Sequence, residues 1–368
     1  MPAMEKVLKD SRVFVIAEVG VNHDGDLGVA LDLVDVAKEC GADAAKFQNF
    51  SAERLVSENL PAANYQNQNI GLSQSQFDVL RKLELTNAQT LSIAERCREI
   101  GIEFLSTAFD DVSLDFLVQE VGVEKLKIAS GEITNGPLLF RHSSFRLPIM
   151  LSTGMAQIHE VDDALSILMR GFTGNQPPGG QPSNVDVELT GNVGGFRDKL
   201  TLLQCTTQYP APVPEANILA MNFMRKRYGL DVGFSDHTKG SVAAIVAVAH
   251  GASVIEKHIT MDNKKATGPD HKASMNPEEF LEYVRNVRLA ESALGSDRKD
   301  IQPAEAENIH AARKYLVAVG DIKKGELFTE GNLNAIRAGK GVSPMLYWTL
   351  LGRPAHRSFR DGEPIEFE

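Results

Sequence analysis

His237 and His258 each close a short apolar run of this 368-residue chain, as do Lys46 and Lys127, and hydroxyl residues end neighbouring runs at Thr107, Ser130 and Ser235. Lysine supplies a compact positive charge for phosphate or carboxylate, so two such lysines backed by hydroxyls describe an anion site. Two imidazoles that leave positions open to oxygen ligands suit manganese, cobalt or a similar divalent ion. Each residue alone also has a plainer reading. A lysine in an apolar strand snorkels to a rim, and a buried histidine is more often a hydrogen-bonded core residue than a ligand.

The elements that must gather these residues are legible in the hydropathy pattern. Apolar or β-branched runs at 13–20, 44–48, 103–109, 125–131, 148–154, 200–206, 231–237 and 253–259 alternate with helix-length stretches such as 27–40, 241–250 and 277–294. In the last of these, Phe280, Tyr283, Val284, Val287 and Leu294 recur at helical spacing. Such alternation predicts parallel strands with crossover helices. Eight units within about 295 residues match an α/β fold of the (β/α)8 TIM-barrel type better than an open doubly wound sheet. A nucleotide-binding open sheet would carry GxGxxG after its first strand, where this chain has Val19-Gly20-Val21-Asn22-His23.

Barrel active sites are assembled at C-terminal strand ends. Here those ends carry Glu18 and Asn22; Lys46 and Gln48; Ser106 and Thr107; Lys127, Ser130 and Glu132; Ser152 and Thr153. They continue with Gln204, Thr207 and Tyr209; Ser235, Asp236 and His237; and Lys257 and His258. Strand alternation puts Lys46 with Gln48, and Ser235 with His237, on shared faces.

Composition narrows the classes. The net charge of -11 argues against a general nucleic-acid binder. No apolar run reaches the roughly 20 residues of a membrane span. Residues 1–10 mix charge signs without an apolar core, which predicts no secretory signal and a cytoplasmic protein. Cys40, Cys97 and Cys205 form no CxxC pair, so neither a disulfide framework nor a structural zinc site is expected. From residue 309 onward nine Lys and Arg face seven Asp and Glu, against a surplus of acid before it, which predicts a separate C-terminal module.

At these residues the chain resembles the sialic acid (N-acetylneuraminate) synthase family, with its legionaminic and pseudaminic acid synthase relatives. The resemblance runs through IAEVGVNHDGDL, AAKFQ, FLSTAFD, KIASGEITN, LSTGM, LLQCTTQYPAP, GFSDHT and EKHIT, in that order. LVAVGDIKKGELFTEGNL and FRDGEPI resemble the family's antifreeze-like SAF module, a small β-rich domain of β-clip type. The resemblance implies a barrel over 1–295, a linker over 296–308 and the module over 309–368. It implies condensation of phosphoenolpyruvate with N-acetylmannosamine or a related N-acetylated sugar, releasing phosphate. The alternative acceptor is a 2,4-diacetamido-trideoxy hexose leading to N,N'-diacetyllegionaminate or pseudaminate.

Carried over residue by residue, Lys46, Thr107, Lys127, Ser130, Thr207 and Ser235 hold phosphoenolpyruvate. Glu18, Gln48, Tyr209, Asp270 and Arg337 surround the sugar, and His237 and His258 hold manganese, or else magnesium or cobalt. Glu132, Lys46, Lys127 and Gln48 are the implied catalytic set. The family pattern further implies a homodimer with exchanged C-terminal domains, Arg337 reaching the partner's sugar site. Gln204 and Thr207 depart from some members, which have histidine and asparagine there. Residues 171–197 read as a disordered or lid-like insertion, and 64–75 as the stretch that reads the sugar. A barrel metallohydrolase is the competing enzyme class, but it would want an HxH pair at the first strand, where only His23 is present. A non-catalytic carbohydrate-binding protein would leave the polar strand ends without a purpose.

Overall fold

Strands with a two-residue period and helices with a 3.6-residue period take up the expected places in a computed structural model that describes residues 12–61, 75–175, 195–264 and 268–367. β1 (Phe14–Gly20), β2 (Ala44–Asn49), β3 (Glu103–Ala108), β4 (Leu126–Ile128), β5 (Ile149–Ser152), β6 (Leu200–Cys205), β7 (Asp231–Asp236) and β8 (Val254–His258) form a closed parallel barrel. β8 returns to β1, pairing Glu18 with His258 and Ile16 with Glu256.

Alternation sorts the side chains into two sets. Ile16, Ala44, Leu105, Met150, Leu203 and Val254 point inward and fill the lower barrel as a separate apolar cluster. Val15, Ala17, Phe47, Ile128, Leu151, Phe234 and Ile255 point outward into the main core beneath the helices. The inward positions two residues further along, including Glu18, Lys46, Thr107, Ser152, Ser235 and Glu256, are polar and equally buried.

The barrel helices are α1 (Leu27–Glu39), α2 (Asn87–Ile100), α3 (Asp111–Phe116), α4 (Gly136–Ser144), α5 (Ile158–Thr173), α6 (Leu219–Tyr228), α7 (Val242–Ala249) and α8 (Pro277–Leu294). Local chemistry sets several of their starts. The Asp26 carboxylate accepts the Val29 N–H at 3.0 Å. Thr86 with Gln89, and Asn276 with Glu279, form capping boxes at α2 and α8, the latter with Pro277 in its first turn. α8 buries Phe280, Tyr283, Val284 and Val287, whereas Leu294 in its last turn is exposed.

β4 is shorter than the run 125–131. After Ile128 the chain turns into a 3-10 segment, Ser130–Glu132, and Ser130 Oγ accepts the Gly154 N–H at 3.1 Å. The expected insertion begins as the last turn of α5 and ends in a 3-10 turn, Arg197–Lys199, that feeds β6; its span 176–194 lies outside the described residues. Most of 64–75 lies outside them too, Ser75 capping the helix Gln76–Leu83. The three cysteines are buried free thiols. No described helix is long and apolar enough to cross a membrane.

The chain divides into two compact units, Met1–Gly295 and Ser296–Glu368. In the second, β9 (Tyr315–Ala318) and β10 (Leu333–Ile336) pair antiparallel, with further antiparallel bridges at Val317–Pro364, Ile322–Phe359 and Leu327–Pro354. Leu316, Ile322, Phe328, Leu333, Phe359 and Ile365 supply its own core. Residues 296–308 carry a 3-10 turn, Pro303–Glu305, and run into a short helix, Ala306–Ala312.

Behind the barrel wall sits a buried ion pair. Lys257 Nζ lies 3.3 Å from Asp236, donates to the Thr238 carbonyl, and stands 5.4 Å from the Tyr283 ring centre. Asp236 also accepts from the Tyr283 hydroxyl at 2.9 Å and from the Thr238 hydroxyl and N–H at 2.7 and 2.8 Å. Removing one partner leaves the other charge buried and uncompensated. Asp236→Ala should therefore lower the urea unfolding free energy by about 3 to 5 kcal/mol; an unchanged midpoint would contradict this account of Lys257.

Candidate active site

The inward polar layer is one connected set of charges. Lys46 Nζ lies 2.6 Å from Glu18 and 3.5 Å from Glu256, and donates to the Thr107 hydroxyl at 3.3 Å. Lys127 Nζ lies 3.7 Å from Glu256 and donates to Ser152 at 2.7 Å. Ser235 donates to Glu256 at 2.8 Å, and Gln48 to Glu18 at 3.0 Å. Glu256 thus joins the two lysines, with a hydroxyl on its open side.

Burial alone would raise the Glu256 carboxyl, but Lys127 and Lys46, with the Ser235 hydrogen bond, overcome it and hold the group ionised. Burial lowers Lys127. Burial acts on Lys46 in the same direction, but Glu18 and Glu256 outweigh it and keep the ammonium charged. Two carboxyls therefore compete for one ammonium, and Glu18, raised first by burial and further by Glu256, is the one that takes up a proton more readily.

The histidines stand at the C-terminal ends of β7 and β8, two residues beyond Ser235 and Glu256 of the same layer. His237 Nδ1 stands 2.7 Å from the Thr206 carbonyl, which can only accept, so the proton is on Nδ1 and the Nε2 lone pair is free to face Ser235 at 3.3 Å. Burial pushes His237 down to about 4, and burial with the neighbouring His237 pushes His258 well below its usual range, so both rings are neutral at pH 7. Their centres are 5.5 Å apart, and the Tyr209 ring packs 4.2 Å from His237 and 5.6 Å from His258. His258 Nδ1 is buried with no hydrogen-bond partner. Neutral imidazoles with an orphaned ring nitrogen fit a divalent ion; a two-imidazole set leaves the other positions to water or substrate oxygen, and among the described residues no larger His, Cys, Asp or Glu cluster forms.

Two glycines admit this packing. A Cβ on Gly154 would stand 2.4 Å from Thr207 Oγ1, 2.8 Å from Ser130 Oγ and 2.9 Å from Cys205 Sγ. Gly20, at φ +57°, brings the backbone against Glu18, Gln48 and the His258 ring. Thr207 Oγ1 is buried without a hydrogen-bond partner, so this corner presents an unused hydroxyl beside the Gly154 N–H.

Not every strand-end residue belongs here. Ser106 faces outward and donates to Asn49 at 2.7 Å, and Gln204 faces outward to the Ala216 carbonyl at 3.2 Å. Asp236 and Lys257 form the pair behind the wall. Adjacent strand residues cannot share a face, and the same rule identifies Glu256, two residues before His258, as the inward carboxylate absent from the sequence-derived set. Gln204 therefore leaves the cavity chemistry untouched. Glu132 is half-buried beyond β4 and bonds Asn135 at 2.7 Å, apart from the lysine cluster. Arg337 is exposed just after β10 in the second unit. Asp270, in the loop after β8, is buried and close enough to Glu18 for their charges to oppose each other.

A closed (β/α)8 barrel with paired lysines, a buried carboxylate and two neutral imidazoles at its C-terminal mouth defines a barrel enzyme for small anionic substrates. The comparisons resolve the class further. The NeuB family model matches residues 33–299 and the SAF domain model residues 313–368. The chain belongs to the NeuB family, whose members are carbon–carbon bond-forming synthases, and is in enzymatic class a transferase. It is 41% identical over 354 residues to the N,N'-diacetyllegionaminic acid synthase of Campylobacter jejuni, covering 96% of this chain and 99% of that one. It is 39% identical to the same-named synthase of Legionella pneumophila, covering 96% and 94%. The structure of the N-acetylneuraminic acid (sialic acid) synthetase of Leptospira borgpetersenii, determined with citrate, superposes with a TM-score of 0.66 at 31% identity, covering 82% of this chain and 91% of that one.

Asp270 yields a pH test. Burial, reinforced by Glu18, raises its carboxyl from 3.8 to about 7. Between those values the folded protein holds a proton that the unfolded chain has released, so stability falls as pH rises from about 4 through 7. Asp270→Asn should match wild type in melting temperature near pH 4 and exceed it at pH 8. Parallel melting-temperature curves across that range would contradict the raised carboxyl.

Proposed function

We propose that this chain condenses phosphoenolpyruvate with an N-acetylated hexose to a nine-carbon α-keto sugar acid, releasing phosphate. The acceptor is of the 2,4-diacetamido-trideoxy class that leads to N,N'-diacetyllegionaminate. The observation that carries the reaction is the pair of buried lysines on either side of Glu256. The acceptor reading rests on the near full-length likeness to two synthases named for that product. N-acetylmannosamine and the pseudaminate precursor are the competing acceptors.

In this reading residues 1–295 are the synthase domain, 296–308 the linker and 309–368 the SAF domain. Lys46 and Lys127 hold the phosphate and carboxylate, with Thr107, Ser130, Thr207 and Ser235 donating hydroxyls. A divalent metal held by His237 and His258, manganese first and magnesium or cobalt as substitutes, supplies Lewis-acid polarisation of the open-chain sugar's carbonyl. Glu18, Gln48, Tyr209 and Asp270 orient the sugar, and the protonated member of the Glu18–Asp270 pair can hydrogen-bond the developing alkoxide. As the enol carbon attacks, positive character grows on the adjacent carbon, and the ionised Glu256 carboxylate, fixed between the lysines, opposes it. Water then adds to that carbon and the C–O bond to phosphate breaks. Glu132, on the turn after β4, is the group assigned to the water's proton. The protein acts as a homodimer, Arg337 of each chain serving the partner's sugar site.

Phosphate release should require phosphoenolpyruvate together with an acceptor, stop on chelation and return with manganese. Among the three sugars, the legionaminate precursor should give the highest kcat/KM. Release without any sugar would sink the synthase reading, whereas preference for N-acetylmannosamine would overturn only the acceptor. Lys127→Ala removes a charge-assisted contact worth about 1.5 to 3 kcal/mol. It should therefore weaken phosphoenolpyruvate binding by roughly tenfold or more in calorimetry and change the sugar KM far less. Unchanged binding would remove Lys127 from the anion site.

A further inference from the structure

The loop that carries Asp270 leaves β8 beyond Thr260 and closes in a 3-10 turn, His271–Ala273. Asp270 is buried, and it feels the charge of Glu18 on β1. Among the described residues none donates a hydrogen bond to its carboxyl, so the backbone beneath sets where that group stands. The backbone is pinned on one side by Ser274, whose hydroxyl donates to the Asp270 carbonyl at 2.7 Å and accepts from Asn22 at 2.8 Å. On the other side it is pinned by His271.

His271 is 1% exposed, and both its ring nitrogens are engaged by the protein. Nε2 lies 2.9 Å from the Asp24 carboxylate, which can only accept, and Nδ1 lies 2.7 Å from the Thr260 hydroxyl. In the neutral ring the proton is therefore on Nε2, and Nδ1 accepts from Thr260. Asp24 lies six residues after Glu18, in the β1 loop, and Thr260 two residues after His258. The ring thus ties the backbone at Asp270 to both strands at once. Local geometry bends to admit this grip. Asp24 takes a left-handed backbone, φ +54°, and a Cβ on Gly268 would stand 3.1 Å from both Asp24 Oδ1 and the His271 ring. Packing alone would not call for it. An apolar side chain of similar volume can fill such a place at little cost, whereas a buried polar network fixes orientation.

We propose that His271 is a positioning residue for the sugar side of the site: gripping Asp24 through Nε2 and Thr260 through Nδ1, it fixes where the Asp270 carboxyl stands between Glu18 and the acceptor. This rests on the reading of Asp270 as an acceptor-binding residue. His271 itself touches no substrate, because both ring nitrogens are spent on the protein.

The test uses the full-length chain loaded with manganese and whichever of the three acceptors it prefers. His271→Leu keeps the volume and removes both hydrogen bonds, one of them to a charged group. It should lower kcat/KM for the acceptor by about tenfold or more, with calorimetric binding of phosphoenolpyruvate unchanged. His271→Gln, whose amide N–H can still reach Asp24, should recover most of that loss. Asp24→Ala breaks the same grip from its more exposed end and should show the same acceptor-specific loss, which covers the case in which His271→Leu misfolds. In an Asp270→Asn background His271→Leu should cost little further, because residues that act through one another are not additive. The same factor in both backgrounds, or equal losses for acceptor and phosphoenolpyruvate in both His271→Leu and Asp24→Ala, would overturn the proposal. Amide hydrogen exchange reads the loop without activity: residues 268–276 should exchange faster in His271→Leu while β2 does not change. If wild type turns over none of the three acceptors, the synthase reading falls and the exchange result decides alone. Unchanged exchange across 268–276 would then remove the positioning role as well.

Discussion

Four charged groups share the interior of the barrel, and the rest of the molecule can be read as what makes that tolerable. Glu18, Lys46, Lys127 and Glu256 are each at most 4% exposed. Isolated ions would not persist there, because an unpaired charge in a low-dielectric interior neutralises by shifting its pKa. The set survives because each lysine lies beside a carboxylate, Lys46 beside Glu18 and Glu256 and Lys127 beside Glu256, and because Thr107, Ser152, Ser235 and Gln48 supply hydrogen bonds. The apolar layer of Ile16, Leu105, Met150 and Leu203 beneath keeps the strands at fixed spacing. Glu18 is the compliant member: with Glu256 already ionised and two lysines to satisfy, it is the carboxyl most easily protonated when an anion arrives. A dianionic ligand would thus exchange one partner of Lys46 for another, with no need to expel an ion from the protein.

The same strands run a second charge system on their other face. Glu256 and Lys257 are consecutive, yet one serves the cavity and the other is locked to Asp236 and Tyr283 behind the wall. His237 similarly follows Asp236, so the outer pair fixes β7 and β8 where the two imidazoles emerge. The pleat keeps structural and cavity charges apart by the thickness of one backbone, which lets buried lysines be used twice without mutual interference.

This arrangement explains what the sequence could reveal. The barrel and α8 were legible because period-two and period-3.6 patterns are local. Lys46, Gln48, Ser235 and His237 were legible as same-face pairs for the same reason. Which of two adjacent polar residues turns inward is not local. It depends on register around a closed barrel, so Ser106, Gln204, Asp236 and Lys257 were grouped with the cavity while Glu256, in the same EKHIT stretch, was passed over. The Asp270 environment depends on a loop meeting β1 across the barrel mouth, and no spacing rule reaches that far. The early end of β4 reflects Ser130 turning to meet Gly154, a contact 24 residues away in sequence.

In the proposed reaction the anion side and the sugar side of the site are built from different materials. The anion side rests mainly on strand residues, Lys46, Thr107, Lys127 and Ser235, held by the barrel's ladder. The sugar side rests partly on loops: Asn22 donates to the Ile259 carbonyl and the Ser274 hydroxyl at 2.8 Å, and His271 bridges Thr260 and Asp24. These bonds tie the β1 loop to the β8 loop and bring Asp270 toward Glu18. A scaffold divided in this way can keep one chemistry, anion capture and carbonyl attack, while loop changes alter the acceptor it admits. Since Glu18 belongs to both halves, paired with Lys46 on one side and opposed to Asp270 on the other, the protonation of the sugar side is coupled to the occupancy of the anion side. In the proposed reaction, filling the anion site would withdraw Lys46 from Glu18 and so favour a proton on the Glu18–Asp270 pair, readying the acid for the alkoxide only once the enol donor is in place.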